Sequence, residues 1–249
     1  MKVLWVFLLA LASPWQLAAH TTITANRQAR ANAVTVETEL FGPVQIQIRN
    51  RQTGQILVER VLNGPGRFEI DAIPASAMNH LSLLAVPGQP AKADDSLYRK
   101  PFSAYADWSI SQGFHGLASH TQRDSVYAVD FALLIGTPVR ASRSGIVMQA
   151  IDSFPDKGGL RQSDLDNANL VRIRHEDGSM AVYGHLMQDS ITVTPGQWVA
   201  AGSAIGQSGN SGYSHGPHLH FVVQVNSGMQ LDSVPFIMRD ENGEVMIQP

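Results

Sequence analysis

Apolar and polar residues change places at every second position through Val44-Gln45-Ile46-Gln47-Ile48-Arg49, and Ala33-Val34-Thr35-Val36-Glu37-Thr38 repeats the pattern. A period of two is that of a strand with one buried face. Residues 56–62 and 81–86 supply further strands, and Asn63-Gly64-Pro65-Gly66 and Pro87-Gly88-Gln89-Pro90 punctuate them as turns. This stretch predicts a small β-sandwich over residues 20–98. Residues 87–100, rich in Pro, Ala, Asp and Lys, read as the linker to a second domain over 99–249. There, strands are predicted at 128–133, 145–151, 170–175, 180–185 and 218–225, with many glycine turns and no long helical period. The fold class is therefore all-β. Residues 152–168 are polar and irregular and read as a long loop, of the kind that lines binding sites in compact domains.

Residues 1–19 break the pattern. Lys2 supplies a positive start, residues 3–12 are an apolar run, Ser13-Pro14 interrupts it, and Leu17-Ala18-Ala19 ends it with small residues. That order is the order of a secretory signal peptide. A buried N-terminal helix is the structural alternative; the run is short for a bilayer span. Cleavage after Ala19 would leave no membrane anchor, and the expected location is the periplasm or the medium.

Composition narrows the chemistry. The formal net charge of −3 over 249 residues gives no electrostatic footprint for nucleic acid and no polybasic anchor for anionic lipid. The chain has no cysteine, so disulfides and a lipidated cysteine are excluded, and any zinc site must use nitrogen and oxygen ligands.

Such ligands are on offer among nine histidines. In Gly216-Pro217-His218-Leu219-His220-Phe221, strand alternation sends His218 and His220 to one face, while Leu219 and Phe221 enter the core. In Tyr183-Gly184-His185-Leu186, alternation puts His185 on the face of Tyr183, at a strand end. Asp130 sits between apolar neighbours in Tyr127-Ala128-Val129-Asp130-Phe131-Ala132, where a lone carboxylate must face away from the core or be paired. His120 precedes it by a loop. Each of these has a bland reading, as surface or half-buried core residues. Taken together, they match the three-ligand, open-position requirement of a catalytic zinc site, with two histidines to spare for proton transfer. Which three ligate is left open by the pattern.

These segments resemble the lysostaphin/LytM-type zinc endopeptidases. The matching run is Ser119-His120, then Tyr127-Ala128-Val129-Asp130, Gly136-Thr137-Pro138-Val139, Gly145-Ile146-Val147, Asn169-Leu170-Val171 and Tyr183-Gly184-His185-Leu186. It continues through Gly196-Gln197-Trp198-Val199 and Ser208-Gly209-Asn210-Ser211-Gly212 to Gly216-Pro217-His218-Leu219-His220-Phe221, covering about residues 101–227. The resemblance implies a duplicated-hybrid-motif fold and zinc held by His120, Asp130 and His220. It implies catalytic roles for His185 and His218, with His218 as base and His185 as transition-state donor. It further implies hydrolysis of peptidoglycan peptide bonds. Nine residues separate His120 from Asp130, more than in the best-known members, and His120 fits the family's longer Ser-His-Thr variant better than His115 does. His215 stands where the family often has Thr and reads as a groove residue; His80 and His175 read as structural, and His20 as a chance mature N-terminus. Asn169, Tyr183 and Gln224 are candidates to orient the imidazoles. A non-catalytic wall-binding or activator protein, or a secreted protease acting on protein substrates, are the competing functions.

Overall fold

The structure, a computed structural model, describes residues 21–28, 31–71, 73–94, 97–103 and 105–248. The expected export signal and His20 lie outside them. Six strands form the N-terminal unit: β1 (Thr21–Gln28), β2 (Ala31–Thr38), β3 (Pro43–Asn50), β4 (Ile56–Asn63), β5 (Gly66–Ile70) and β6 (Leu81–Pro87). They make two antiparallel three-stranded sheets, β1-β2-β5 and β4-β3-β6. Val34 and Val36 of one sheet share a buried core with Val44, Ile46 and Ile48 of the other, as alternation demands. The opposite face of β3 is polar but also covered. Gln45 and Gln47 donate to Glu59 at 2.9 and 2.7 Å, and Gln45 Oε1 accepts the Met229 amide at 2.9 Å.

The second unit contributes β7 (Leu97–Arg99), β8 (Trp108–Gln112), β9 (Val129–Leu133), β10 (Pro138–Arg140), β11 (Gly145–Ile151), β12 (Leu170–Arg174) and β13 (Met180–Gly184). It continues with β14 (Trp198–Val199), β15 (Ala204–Gln207), β16 (His218–Asn226), β17 (Leu231–Ser233), β18 (Ile237–Arg239) and β19 (Val245–Ile247). An antiparallel sheet runs β14-β11-β12-β13-β16-β9-β8, with β17 added on β16. Leu219, Phe221 and Val223 of β16, Val129 and Phe131 of β9 and Ala181 and Tyr183 of β13 point to one face. There they meet Tyr98, Val139, Ile205 and Met238 from the smaller sheets β19-β18-β7 and β10-β15, and Phe236 just before β18. Fully burying a side chain such as Phe221 stabilises by about 1.5–3 kcal/mol, so this face anchors the sheet.

The expected linker is not a free tether. Leu97–Arg99 pairs in parallel with β18, and Tyr98 belongs to the second core, so the boundary expected between 98 and 99 falls inside a strand. Arg143 bridges Asp94 and Asp177 at 3.3 and 3.0 Å. The two units also share an interior. Met148, Met180 and Leu231 of the second pack into the sandwich core of the first. The Phe41 ring packs onto the backbone of Gly196, in left-handed conformation (φ +89°), where a Cβ would stand 2.7 Å from the ring.

Candidate metal centre

The site is built on the second face of the large sheet. His220 lies directly opposite Asp130 on β9 and opposite Gly184 on β13. Mid-strand register therefore sets carboxylate beside imidazole, and His220 Nδ1 lies 2.8 Å from Asp130 Oδ1. His120 arrives from the loop after β8. Its Nδ1 donates to Gly113 O at 2.9 Å, which leaves Nε2 unprotonated and aimed at the cluster. That buried Nε2 is 3.2 Å from Asp130 Oδ1, without an aligned hydrogen bond. Gln112 fastens loop and carboxylate together. Its Oε1 accepts the Ala118 and Ser119 amides at 3.0 and 3.3 Å, and its Nε2 donates to Asp130 Oδ2 at 3.0 Å.

One ligand atom from each of His120, Asp130 and His220 lies within 4.8 Å of the other two. Ligand atoms around a tetrahedral zinc with bonds of about 2.0–2.1 Å stand roughly 3.3 Å apart, and the two imidazole nitrogens lie 3.2 and 2.8 Å from the Asp130 oxygen. Two nitrogens and one oxygen, with a buried ring nitrogen left without an aligned donor, fit zinc by geometry and by donor type. Burial pushes the Asp130 carboxyl up, but the His120 and His220 rings outweigh it and hold the group far below the usual carboxylate range.

Two more histidines face the same space. His218 lies on β16, two residues before His220. Its Nδ1 donates to Gly216 O at 2.8 Å, and its Nε2 is 3.9 Å from Asp130 Oδ1. His185 lies against it with ring centroids 4.5 Å apart and planes inclined at 50°. Strand alternation placed His185 on the Tyr183 face, and here the structure differs. Tyr183 does enter the core, where its hydroxyl accepts the Ser142 amide at 2.7 Å. β13, however, ends at Gly184, and His185 adopts a left-handed backbone, φ +59°. The turn swings the ring to the other face, where Nδ1 donates to Ser211 O at 2.7 Å. A non-glycine residue held there costs on the order of 1–3 kcal/mol, a strain typical of functional positions. Burial first, then the His218 and His220 rings, hold the His185 imidazole well below its ordinary pKa.

The cluster floors an open groove of about 1080 Å³. One wall is polar and includes Gln112, Ser119 and Gln122; the other includes Gln162, Tyr213 and His215. The second wall draws on the long loop at 152–168, which ends in a 3₁₀ turn, Gln162–Asn167. Asp156 ties that loop down by accepting the Asn210 and Gln188 amides at 3.1 and 2.8 Å.

The remaining histidines stay apart. His115 packs its ring on Tyr127 at 5.0 Å and joins no ligand group. His215 is exposed on the groove rim beside Tyr213. His175 is buried, with Nδ1 on Ser144 O, and His80 is half-buried in the sandwich. Of the three residues expected to orient imidazoles, Tyr183 bonds on the core side and Gln224 bonds Arg172 and the Asp124 carbonyl. Only Asn169 lies against the His185 turn. The orienting groups missed were Gln112 and the carbonyls of Gly113, Ser211 and Gly216. Backbone oxygens carry no side-chain signal, and Gln112 sits in a strand without alternation.

Residues 124–233 match Peptidase family M23. Lysostaphin from Staphylococcus staphylolyticus is 39% identical over 114 residues, covering 45% of this chain and 22% of the relative. The peptidoglycan DD-endopeptidase ShyA of Vibrio cholerae serotype O1 is 38% identical over 136 residues, covering 52% of this chain and 28% of the relative. The chain thus spans less than a third of the length of either. Among solved structures, the catalytic domain of lysostaphin from Staphylococcus simulans aligns at 32% identity and a TM-score of 0.35, over 49% of this chain and 83% of that one.

Proposed function

We propose, from the premise that residues 124–233 form a domain of peptidase family M23, that this protein is an exported zinc metalloendopeptidase hydrolysing peptide bonds in peptidoglycan. The observation that carries this reading is the meeting of His120, Asp130 and His220 at one point, with His185 and His218 on the same groove. His120, Asp130 and His220 would hold the zinc. Bound there, zinc supplies Lewis-acid polarisation of the scissile carbonyl and brings the pKa of a water toward about 7.

The chain's own residues handle the protons. His218 and His185 each commit Nδ1–H to a backbone carbonyl, so each begins with an unprotonated Nε2. We assign to His218 acceptance of the proton of the attacking water. That proton passes from His218 to His185, whose ring centroid lies 4.5 Å away, and to His185, protonated in this way, we assign the hydrogen bond to the developing oxyanion and delivery of the same proton to the leaving amine. The shared tautomer makes the two roles interchangeable. Gln112 keeps the carboxylate oriented while substrate passes. Asp130, His185, His218 and His220 lining one groove, with His120 behind Asp130, favours an enzyme over a non-catalytic wall-binding protein. The peptidoglycan substrate rests on the relatives named above, and export on the N-terminal apolar run.

The test is digestion of purified sacculi by the zinc-loaded protein, with mass spectrometry of the released muropeptides. New amino termini within the peptide cross-links are expected. Absence of cleavage with stoichiometric zinc bound would overturn the assignment, and cleavage of protein substrates alone would redirect it to a secreted protease.

A further inference from the structure

His185 is held in its left-handed turn by a closed set of buried hydrogen bonds. Leu186, the next residue, returns to the core and is fully buried. Its amide donates to Asn169 O at 3.1 Å. Its carbonyl accepts both Asn169 Nδ2 at 3.0 Å and Ser211 Oγ at 2.8 Å. Ser211 Oγ in turn accepts the Asn169 amide at 3.0 Å, and Ser211 O accepts His185 Nδ1 at 2.7 Å. Asn169 spends its remaining capacity on Phe154, through Oδ1 to the amide at 2.9 Å and Nδ2 to the carbonyl at 2.7 Å. Both Asn169 and Ser211 are wholly buried, and neither lines the groove.

We propose that Ser211 and Asn169 are positioning residues for His185: together they clamp the Leu186 peptide so that the turn stays left-handed, and they fix the carbonyl that sets the His185 tautomer and ring direction. Three segments far apart in the chain, at 169, 185–186 and 211, meet in this clamp, and every polar atom named in it has a partner in another segment. A buried network completed in this way fixes one arrangement, because breaking any link strands a desolvated polar group. Without it, the favoured backbone at residue 185 would return the ring toward the Tyr183 side, out of the groove. The inference rests on the catalytic role given to His185 above.

The experiment uses the zinc-loaded full chain and a soluble cross-linked muropeptide dimer. Ser211→Ala keeps the carbonyl and removes the hydroxyl. It is expected to leave zinc content and KM near the parent values and to lower kcat about 10–100-fold, the scale of a misplaced catalytic group. In a His185→Ala background the same change should have less than about a twofold further effect, since its route of action is gone. An equal loss in both backgrounds would overturn the proposal, because Ser211 would then act through something other than His185. If His185→Ala itself leaves kcat intact, the catalytic assignment of His185 fails instead. Proton NMR separates the two and covers a Ser211→Ala chain that does not fold. In the parent protein the His185 Nδ1–H must be present and slow to exchange, and an unprotonated or rapidly exchanging Nδ1 overturns the clamp.

Discussion

His175 and the groove histidines bury imidazoles by the same device and arrive at different chemistry. His175, at the end of β12, donates Nδ1 to Ser144 O at 2.8 Å, as His120 donates to Gly113 O and His185 to Ser211 O. Its ring packs edge-on against Tyr98 at 5.6 Å. Among the described residues, no carboxylate or second imidazole joins it in a ligand group, and the charges nearby are Arg143 and its ion-pair partners Asp177 and Asp94. In the groove, three rings surround one carboxylate. A carbonyl on Nδ1 therefore buries and orients a histidine without making it a ligand; convergence on Asp130 is what makes a ligand set.

The contrast can be broken at either end. The largest effect is expected from Asp130→Ala or His220→Ala, which should lose bound zinc and hydrolysis together, read by elemental analysis and sacculus digestion. Zinc retained at full stoichiometry in Asp130→Ala would erase the distinction. Next come His185→Ala and His218→Ala, which should keep zinc and lose about 10²–10⁴-fold in kcat. Gln112→Leu, which frees Asp130 Oδ2 and the His120 loop, should weaken zinc affinity by about 10–100-fold in a chelator competition, with kcat recovered at saturating zinc.

The smallest effect on activity belongs to His175. Burial, ahead of the opposing Ser144 hydrogen bond, pushes its pKa down to about 4, against an ordinary value of 6.5. The unfolded chain therefore takes up the proton first as pH falls. The stability contribution is whole above about 6.5 and declines toward 4, by on the order of 3 kcal/mol. His175→Asn should leave zinc and turnover within about twofold of the parent while flattening the loss of stability between pH 6.5 and 4 in urea titrations.

Much of the large sheet could be read from the chain because its strands alternate. β11 spans the predicted 145–151, and the strands at 128–133, 170–175, 180–185 and 218–225 are each displaced by a single residue at one end. The short strands β10, β14 and β17 to β19 are too brief to show a period, and β7 hides in a stretch whose Pro and Asp content suggests a tether. β8 is an edge strand with mostly exposed positions, so nothing in its pattern marks Gln112. The face of Asp130, His218 and His220 followed from alternation, but that of His185 did not. The residue stands one position past its strand, where a backbone torsion and not the pleat decides direction.

The side chains that β11, β13 and the β16–β17 hairpin lend to the sandwich have a consequence for how this protein comes apart. A lobe whose interior is partly furnished by its neighbour cannot swing away on a hinge, since parting would leave hollows on one side and wetted methionines on the other. Heat should then melt both lobes in a single step. A chain trimmed to begin at residue 90, which keeps β7 and Tyr98, should precipitate more readily than the whole, even though its groove is untouched, because Met148, Met180 and Leu231 would become surface.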